Sequence, residues 1–556
     1  MASVGVLFLC AVIYLVLCMD RHVNIHDEGF VLVDAIRILN GEIPHRDFYV
    51  LYGPGQFYVL AVLFKCFGTS VLVERAWDTV VRGCSVVLVF VIVRRVVAPR
   101  SVAFLASTAS LVWLGSFGAY GYPVFPALTA ALASLAFLVP ALGGEGGSAA
   151  GMVAAGACAG VVMLFRYDIG FAIFGVEAAI LTFSSWLGRL EKANPLRATM
   201  RVLLLFGLGF AVIVGPIIIV FTLLGVMPDL IFDIIIYPAH YYVRMRSLPF
   251  PSMSSLWADP ARFDVFLPLL LCAAAVPAIV AVALSKGLIA KVNKGAPRYP
   301  HAQANLLWTL LALVITTLVF YAKGVVRVST VHMAMALISS LALTGVVAQA
   351  VRGRGLVAFA SLIGAACAIS ILTFPILHSA LWQAERNISW TMDPASWSLS
   401  ANGLPSELGS CRIHAGFERM VCFTMSSDTM ETVRYVEERT APDASIFIGV
   451  SRHDRIFANN SLLYFIMKRN PITKWHEFDP GVQTTEPIQQ EMIGELRRSK
   501  PKLIVLGRDW DDANEPNDSS LSSGVTILDS YLKSAFEPVA TFGANTVLRA
   551  RSSEQP

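Results

Sequence analysis

Residues 202–225 read VLLLFGLGFAVIVGPIIIVFTLLG, an apolar run without a charged side chain. A helix of about 20 apolar residues crosses the hydrocarbon core of a bilayer, so this run predicts a transmembrane helix. Similar runs lie on both sides of it along the chain. The predicted spans are residues 3–19, 71–93, 101–116, 124–142, 149–165, 169–188, 202–225, 264–285, 304–321, 329–350 and 356–378. The sequence therefore predicts a polytopic α-helical membrane protein with about 11 transmembrane helices.

The composition of the chain agrees with a membrane location. Its 556 residues are 56% hydrophobic and 15% charged, with a mean hydropathy of +0.63. Soluble globular proteins are about 25% charged, so the composition excludes an ordinary cytosolic enzyme and a disordered protein. The net charge of +4 is small and falls in loops, which excludes a nucleic-acid partner. The first span lacks a basic segment and a small-residue cleavage site, which favours a retained helix over a signal peptide.

Lysine and arginine in the connections between spans predict the orientation. Alternate connections are basic and nearly free of carboxylates, as expected of cytoplasmic loops. Their basic residues are Arg94, Arg95, Arg100, Arg189, Lys192, Arg197, Arg201, Lys286, Lys291, Lys294, Arg298, Arg352 and Arg354. The N-terminus is therefore predicted inside, with loop 20–70 and all residues after 378 outside.

Two parts of the chain differ from the apolar spans. Loop 20–70 contains amphipathic stretches at 29–40 and 56–67, which predict two interfacial helices. From about residue 385 the sequence becomes more polar. Short β-rich runs at 445–450, 502–506 and 547–549 alternate there with helical patterns at 427–439, 460–469 and 486–498. The sequence thus predicts a membrane module at 1–384 and an extracytoplasmic α/β domain at 385–556.

Two cysteines lie in the predicted extracytoplasmic domain. Cys411 and Cys422 are the only cysteines after residue 385. Because this part is predicted to face an oxidising compartment, we expect a disulfide between them. The alternative is two buried free thiols.

Carboxylates beside the predicted spans are the first candidates for chemistry, because ionisable groups at a membrane boundary are costly unless they are used. Asp27 and Glu28 follow the first span, and paired carboxylates at a cavity mouth suit general-base catalysis. Asp168 lies in a tight turn after residue 165. The alternatives are a solvated loop start for the pair and an ion pair with Arg166 for Asp168.

A basic group lies on the same predicted face. Arg244 and Arg246 follow one span, and Lys323, Arg327 and His332 border a short outer turn. Arginine matches phosphate oxygens with two parallel hydrogen bonds, and an outer membrane surface offers lipid phosphates. We therefore expect Arg244, Arg246 and Arg327 to line one pocket. The alternative is anchoring at the membrane interface by long side chains.

The outer loop carries motifs that resemble a known superfamily. These are HDEGF at 26–30, GEIPHRDF at 41–48 and YGPG at 52–55. They resemble the first outer loop of GT-C glycosyltransferases, in particular bacterial relatives of protein O-mannosyltransferases and of the lipid A aminoarabinose transferase. Segments 452–460 (RHDRIFANN) and 478–481 (FDPG) resemble tails of bacterial members.

The resemblance implies a bacterial inner-membrane enzyme with a periplasmic C-terminal domain. It would transfer a sugar from a polyprenyl-phosphate-linked donor to an envelope lipid, polysaccharide or protein at the outer face. Asp27 would be the general base, with Glu28 and Asp168 as further cavity acids. The implied substrate and carrier-phosphate residues are Asp47, Tyr52, Arg166, Tyr241, Arg244, Arg246, Lys323, Arg327 and His332.

Relatives often carry Arg-x-Asp-x-x-His before a late helix, whereas this chain has Ser329 at the acidic position. We expect no cofactor and no divalent metal, because a carrier phosphate already leaves well. Membrane lipids are expected contacts. A secondary transporter or flippase of envelope precursors, or a non-catalytic envelope-assembly protein, are the alternative functions.

Overall fold

The computed structural model describes residues 2–97, 99–118, 120–142, 147–188, 195–252, 254, 265–284, 301–351, 375–392 and 416–551. Apolar helices make up most of its first part. Their bounds are α1 Ala2–Leu17, α2 Asp27–Leu39, α3 Gly55–Phe67, α4 Val71–Val96, α5 Arg100–Gly115, α6 Val124–Leu138, α7 Ala149–Phe165, α8 Tyr167–Gly188, α9 Pro195–Leu223, α10 Met227–Ile231, α11 Val243–Arg246, α12 Leu267–Leu284, α13 His301–Val325, α14 Thr330–Val351 and α15 Pro375–Met392. Two π-helical turns, Phe232–Ile236 and Pro238–Tyr242, lie between α10 and α11.

Helices occupy ten of the predicted spans. Six stretches in the described residues are long and apolar enough to cross a membrane. They are Val71–Val96, Val124–Ala141, Tyr167–Trp186, Leu196–Leu223, Leu267–Leu284 and Ala304–Val325. The predicted span 356–378 lies mostly outside the described residues, so the count of 11 stays a prediction.

Small residues allow α7 and α9 to pack closely. A Cβ atom at Gly156 in α7 would collide with the Phe206 carbonyl oxygen, and one at Gly209 in α9 would collide with the Val153 carbonyl oxygen. Close backbone approach of this kind is typical of helices packed within membranes, where van der Waals contact replaces the hydrophobic effect.

The two predicted loop helices are present as α2 and α3, and their position at a membrane interface stays a prediction. Helix α2 is largely covered by other parts of the chain. Most of its residues are buried. A Cβ atom at Gly29 would lie 2.5 Å from the Leu462 nitrogen, so glycine permits the tail of the chain to dock against the start of α2. The Leu462 N–H also donates to the Ile25 carbonyl at 3.1 Å. Helix α3, in contrast, leaves the large side chains of Tyr58, Val62 and Phe67 exposed.

The C-terminal part contains a small four-stranded sheet with helices around it. Its strands are β1 Phe447–Val450, β2 Leu503–Gly507, β3 Phe536–Phe542 and β4 Asn545–Ala550. Its α-helices are α16 Ser427–Glu437, α17 Leu462–Met467, α18 Glu486–Ser499 and α19 Ile527–Ala535. The strand order is β1-β2-β4-β3, with only the β1–β2 pair parallel.

Three strands and three helices of this part agree with the sequence prediction, whereas β3 and α19 were not predicted. The predicted boundary at residue 385 falls inside α15. The sheet itself is small, so an independent α/β domain stays a prediction.

The segment between α9 and α12 joins the membrane helices to the tail. The Tyr237 hydroxyl donates to the Pro480 carbonyl at 2.9 Å, and the Lys474 ammonium lies 2.6 Å from an Asp229 carboxylate oxygen. One buried cluster of apolar side chains contains residues from both loop 20–70 and the tail. The outer loop, segment 227–246 and the tail therefore meet above the membrane helices.

Candidate active site

Asp27 begins α2, at the place where the outer loop meets the membrane helices. Its backbone N–H donates to Asn24 Oδ1 at 2.8 Å, and Asn24 Nδ2 donates to Asp27 Oδ2 at 3.1 Å. The side chain is half-buried. One carboxylate oxygen of Asp27 accepts no hydrogen bond from the described residues, so it is free to meet a ligand.

Glu28 has a different environment from its neighbour, and the expected pair of cavity carboxylates is not formed. It is fully buried and accepts two hydrogen bonds from Arg75, at 2.6 and 2.8 Å. The Asn24 N–H donates to its Oε2 at 3.1 Å. Successive residues at the start of a helix point in different directions, so Glu28 faces α4 and neutralises a buried arginine. Its geometry fits a structural role.

Asp168 forms the ion pair with Arg166 that the sequence offered as an alternative. The two contacts are 3.0 Å from Nε to Oδ1 and 2.6 Å from Nη2 to Oδ2. Burial opposes the charge of the guanidinium, but Asp168 raises the pKa of Arg166 well above its ordinary value. Asp168 keeps 38% of its side chain exposed, so the pair still borders open space.

Tyr52 stands over this ion pair. Its ring centroid lies 5.1 Å from the Arg166 guanidinium carbon, and its hydroxyl lies 2.8 Å from the hydroxyl of Tyr122. The YGPG motif explains this placement, because a Cβ atom at Gly53 would collide with the Leu164 carbonyl oxygen at the end of α7. Glycine thus lets the loop lie directly against the turn that carries Arg166.

Lys323 lies near both Asp27 and Asp168. Asp27 and Asp168 both act electrostatically on its ammonium group, as does Arg166. The ammonium lies 5.7 Å from the ring centroid of Tyr122. No carboxylate in the described residues lies within ion-pair distance of it. Asp27 and Asp168 therefore both lie near Lys323, and neither forms an ion pair with it.

Arg246 and Arg327, two of the three arginines predicted to line one pocket, lie beside this site. Each forms an ion pair with a carboxylate of the tail. Arg246 contacts Asp479 at 2.7 Å, and Arg327 contacts Glu515 at 2.5 Å. Their guanidinium carbons lie 5.5 and 5.9 Å from the ring centroid of Phe457. The tail therefore already satisfies both cations.

Arg244 lies apart from Arg246 and Arg327, so the prediction of one pocket lined by all three arginines is wrong in this respect. Its side chain is 76% exposed and contacts Asp518 at 3.0 Å. Tyr241 is also exposed and stacks on Tyr237. Asp47 accepts a hydrogen bond from the Ile43 N–H at 2.8 Å and pairs with the neighbouring Arg46, which closes the loop locally.

His332 lies among the basic residues of the site. Lys323, Arg327, Arg166 and Arg246 all act electrostatically on its imidazole. Its Nδ1 lies 2.7 Å from the Ser329 hydroxyl. The hydrogen bond with Ser329 fixes the orientation of the imidazole ring.

The structure adds residues for which the sequence analysis proposed no role. His26 is half-buried beside Asp27, its ring centroid lies 6.1 Å from that of Trp510, and burial lowers its pKa. Glu477 is buried in the tail, and burial followed by Asp479 raises its pKa well above the ordinary value. The motifs HDEGF and FDPG contain or adjoin these two residues, but the sequence does not show that the tail lies near Asp27, because that contact joins segments distant in the chain.

A cavity of about 420 Å³ lies between the segment that precedes Asp27 and the tail. Hydroxyl, amide, imidazole and carboxyl groups line it together with apolar side chains, and none of its lining residues is a lysine or arginine. The polar lining residues are His22, Thr424, Ser426, Thr429, Asn460 and Asp509. Asn460 is buried, and its Oδ1 has no hydrogen-bond partner.

Only one of the two cysteines of the predicted disulfide lies in the described residues. Cys422 is disulfide-bonded, whereas Cys411 lies outside the described residues. The pairing of these two cysteines stays a prediction.

Two solved structures share the fold along nearly the whole chain. ArnT from Cupriavidus metallidurans bound to undecaprenyl phosphate matches with a TM-score of 0.56 at 16% identity, covering 99% of this chain and 98% of that one. The apo state of the same protein matches with a TM-score of 0.54, covering 100% and 99%. The Archaeoglobus fulgidus oligosaccharyltransferase in complex with zinc and sulfate has a TM-score of 0.48 at 12% identity, covering 90% and 68%.

No protein-family model matches the chain, and no curated protein matches it. The likeness to ArnT, an aminoarabinose transferase with the GT-C fold, shows the fold of this protein. The GT-C fold that the outer-loop motifs implied is therefore confirmed.

Proposed function

We propose that this protein is a membrane glycosyltransferase that moves a sugar from a polyprenyl-phosphate carrier to a hydroxyl acceptor at the outer face of the membrane. The observation that carries the proposal is the convergence of Asp27, Asp168 and the unpaired ammonium of Lys323. It occurs in a chain with the fold of ArnT, which has been solved with undecaprenyl phosphate bound. A cation with which no carboxylate of the described residues forms an ion pair is available to an anionic ligand.

Asp27 is proposed as the general base. The acceptor oxygen attacks the anomeric carbon of the donor sugar while its proton passes to the Asp27 carboxylate. The bond between the anomeric carbon and the phosphate oxygen breaks, and the carrier phosphate departs with the bonding electron pair. Asp27 is the only one of the three predicted acids without an arginine partner in the described residues, which leaves it available to accept a proton.

Lys323 is proposed to hold the carrier phosphate. Negative charge grows on the phosphate as the bond breaks, and a cation already in place stabilises that charge without reorganisation. Arg166 adds positive charge beside Lys323 and is itself kept in position by Asp168. The proposal needs neither a metal nor a cofactor, because the base and the cation are both side chains and a phosphate is a good leaving group.

Arg246 and Arg327 are proposed to position the tail over the site. Both are neutralised by tail carboxylates, so their charge is less available to a carrier than that of Lys323. The tail would then exclude water from the reacting groups, which strengthens the electrostatic interactions there.

The cavity of about 420 Å³ is proposed to receive the acceptor. The absence of lysine and arginine from its lining disfavours a phosphorylated acceptor group at this position. Polar side chains, of which only Asp509 is acidic, together with apolar neighbours suit a saccharide, whose hydroxyl groups form hydrogen bonds while its C–H faces contact apolar surface. Residues 22, 23 and 25 line this cavity, and Asn24 between them donates to Asp27 Oδ2, so the cavity lies next to the proposed base.

The proposal is tested with the purified full chain in nanodiscs and undecaprenyl-phosphate-linked sugars as donors. Mass analysis of envelope glycans from a deletion strain identifies the sugar and the acceptor to be used. We expect Asp27→Asn to lower transfer by about 10²–10⁴-fold. Lys323→Gln should raise the KM for the donor, whereas Arg244→Gln, which removes an exposed charge, should not.

Near-normal transfer by Asp27→Asn would make Asp168 the candidate base. Equal effects of Lys323→Gln and Arg244→Gln would contradict the proposed phosphate site. Unchanged envelope glycans in the deletion strain would favour the transport or assembly functions instead. A reporter fused after residue 551 should be active only in the outer compartment, and activity in the cytoplasm would overturn the proposed sidedness.

A further inference from the structure

A second, smaller cavity lies between the C-terminal half of α2 and the tail. Its volume is about 180 Å³. The charged and amide residues of its lining are Arg37, Asn40, Arg419, Lys468, Arg469 and Asn470. Four of these six side chains are cationic and none is acidic, so the lining has the opposite character to that of the larger cavity.

The charge of Arg419 is not compensated. Its Nη1 donates to the Phe465 carbonyl at 2.8 Å, and its guanidinium lies 5.0 Å from the centroid of the Phe465 ring. No carboxylate in the described part of the chain lies within ion-pair distance of it. Burial lowers the pKa of Arg419 to about 10, and no acidic group of the described residues counters that effect. A partly buried arginine normally has an anionic partner.

The positive charges of the other three cations in the lining are only partly compensated. Arg469 is buried, and its guanidinium donates to hydroxyl and carbonyl oxygens rather than to a carboxylate. Lys468 contacts Glu418 at 2.8 Å, but 39% of its side chain is exposed. Arg37 contacts Glu42 at 2.6 Å. Within the lining the four cations therefore have no acidic counterpart, although Glu437 acts electrostatically on Lys468 and Arg469 from outside it.

We propose that this cavity binds a phosphate group, either as inorganic phosphate or as the headgroup of an anionic lipid. Guanidinium and ammonium groups with two amides in a small cavity match the size and the acceptor oxygens of a phosphate. A lipid could supply it, since α3 packs against α2 and exposes Tyr58, Val62 and Phe67 to the surroundings.

The site is separate from the proposed reaction centre. Arg37 follows Asp27 by ten residues on the same helix, which corresponds to about 15 Å along the axis. The lining residues come from α2 and from the tail, so a bound phosphate would hold these two parts together. The role assigned to it is stabilisation of the tail against the outer loop, and it does not depend on the proposed transfer reaction.

The test uses the full chain in phosphatidylcholine nanodiscs. The unfolding midpoint is measured in inorganic phosphate and in chloride at the same ionic strength, and again in nanodiscs that contain phosphatidylglycerol. Native mass spectrometry counts the phosphatidylglycerol molecules that stay bound. Arg419→Gln removes the unpaired cation. Arg508→Gln is the matched control, because Arg508 is exposed and also donates to a carbonyl, that of Gly543.

We expect phosphate or phosphatidylglycerol to raise the midpoint of the wild type and of Arg508→Gln. Arg419→Gln should lose this increase and bind the anion about tenfold or more weakly, since a charge-assisted hydrogen bond is lost. In chloride its midpoint should equal or exceed that of the wild type, because an uncompensated cation has been removed. Arg419→Lys should keep part of the increase.

Stabilisation by phosphate alone identifies the small anion as a sufficient ligand, and stabilisation only by phosphatidylglycerol identifies a lipid headgroup. Both results support an anion site. The proposal is overturned if neither anion stabilises the wild type beyond chloride and phosphatidylcholine. It is also overturned if Arg419→Gln and Arg508→Gln respond alike.

Discussion

The Arg166 guanidinium binds both carboxylate oxygens of Asp168, at 3.0 and 2.6 Å, and the Lys323 ammonium is left without a carboxylate partner among the residues that the structure describes. Since Asp168 satisfies Arg166, the remaining local cation is available to a ligand. The proposed division of roles follows from this pairing, with Asp168 as a positioning residue and Asp27 as the base.

The first prediction concerns the two-point contact. Arg166→Lys keeps the charge but cannot bind both Asp168 oxygens, so Asp168 is less firmly held beside Lys323. We expect transfer to fall by about 10-fold or more, in line with the loss of one charge-assisted hydrogen bond. Steady-state kinetics with a lipid-linked donor measures this. Arg46→Lys is the control, because Arg46 makes the same two-point contact with Asp47 at the surface.

The second prediction separates Glu28 from Asp27. Glu28→Gln removes one partner of a buried ion pair and should destabilise the protein by about 3 kcal/mol. This value is the lower end of the free-energy range for breaking a buried ion pair. The lower end is expected because Glu74 Oε2 lies 3.6 Å from the Arg75 Nε and retains part of the compensation. Asp27→Asn should leave the unfolding midpoint nearly unchanged. Equal midpoints of the two variants would argue against the structural role of Glu28.

The third prediction concerns the contact between the tail and the membrane helices. A double-mutant cycle of Arg246→Gln and Asp479→Asn should give a coupling free energy above about 1.5 kcal/mol, because both side chains are buried. The same cycle for the exposed pair of Arg244 and Asp518 should give about 0–1 kcal/mol. Thermal or denaturant unfolding supplies both values. Similar couplings would mean that the buried pair does not hold the tail.

The fourth prediction is a pH dependence of stability. Burial raises the pKa of the Glu495 carboxyl from 4.5 to about 7. The native state therefore binds this proton more tightly than the unfolded state, and the stabilisation it provides is lost as the pH rises through about 7. Glu495→Gln should reduce the fall in the unfolding midpoint between pH 5 and 7. The exposed Glu431→Gln should keep the wild-type slope.

The fifth prediction is the disulfide between Cys411 and Cys422. Peptide mapping without reduction should find the two cysteines in one cross-linked fragment. A loop of this length stabilises the folded tail by about 3 kcal/mol in the chain-entropy model. A cross-link from Cys422 to any other cysteine would disprove the pairing.

The sequence alone determined the helical elements of this protein and much of its tail. Apolar runs such as 202–225 and the amphipathic stretch 56–67 became helices because their periodicity is a local property of the chain. Asp27 was also found by local reasoning, from its position after an apolar span. Strand β3 was missed because its glutamate and proline weaken a β pattern, and pairing with β4 overrides that preference.

Only the tertiary structure decided which charges are paired and which are free. Glu28 and Asp27 are neighbours in sequence, yet Glu28 meets an arginine 47 residues away. Arg246 finds its partner 233 residues further along, whereas Arg244, two residues before it, stays at the surface. Side-chain periodicity indicates the face of an element on which a residue lies, but the partner on that face is set by packing between distant segments. The free ammonium of Lys323 is a consequence of those pairings, so no local pattern in the sequence could have shown it.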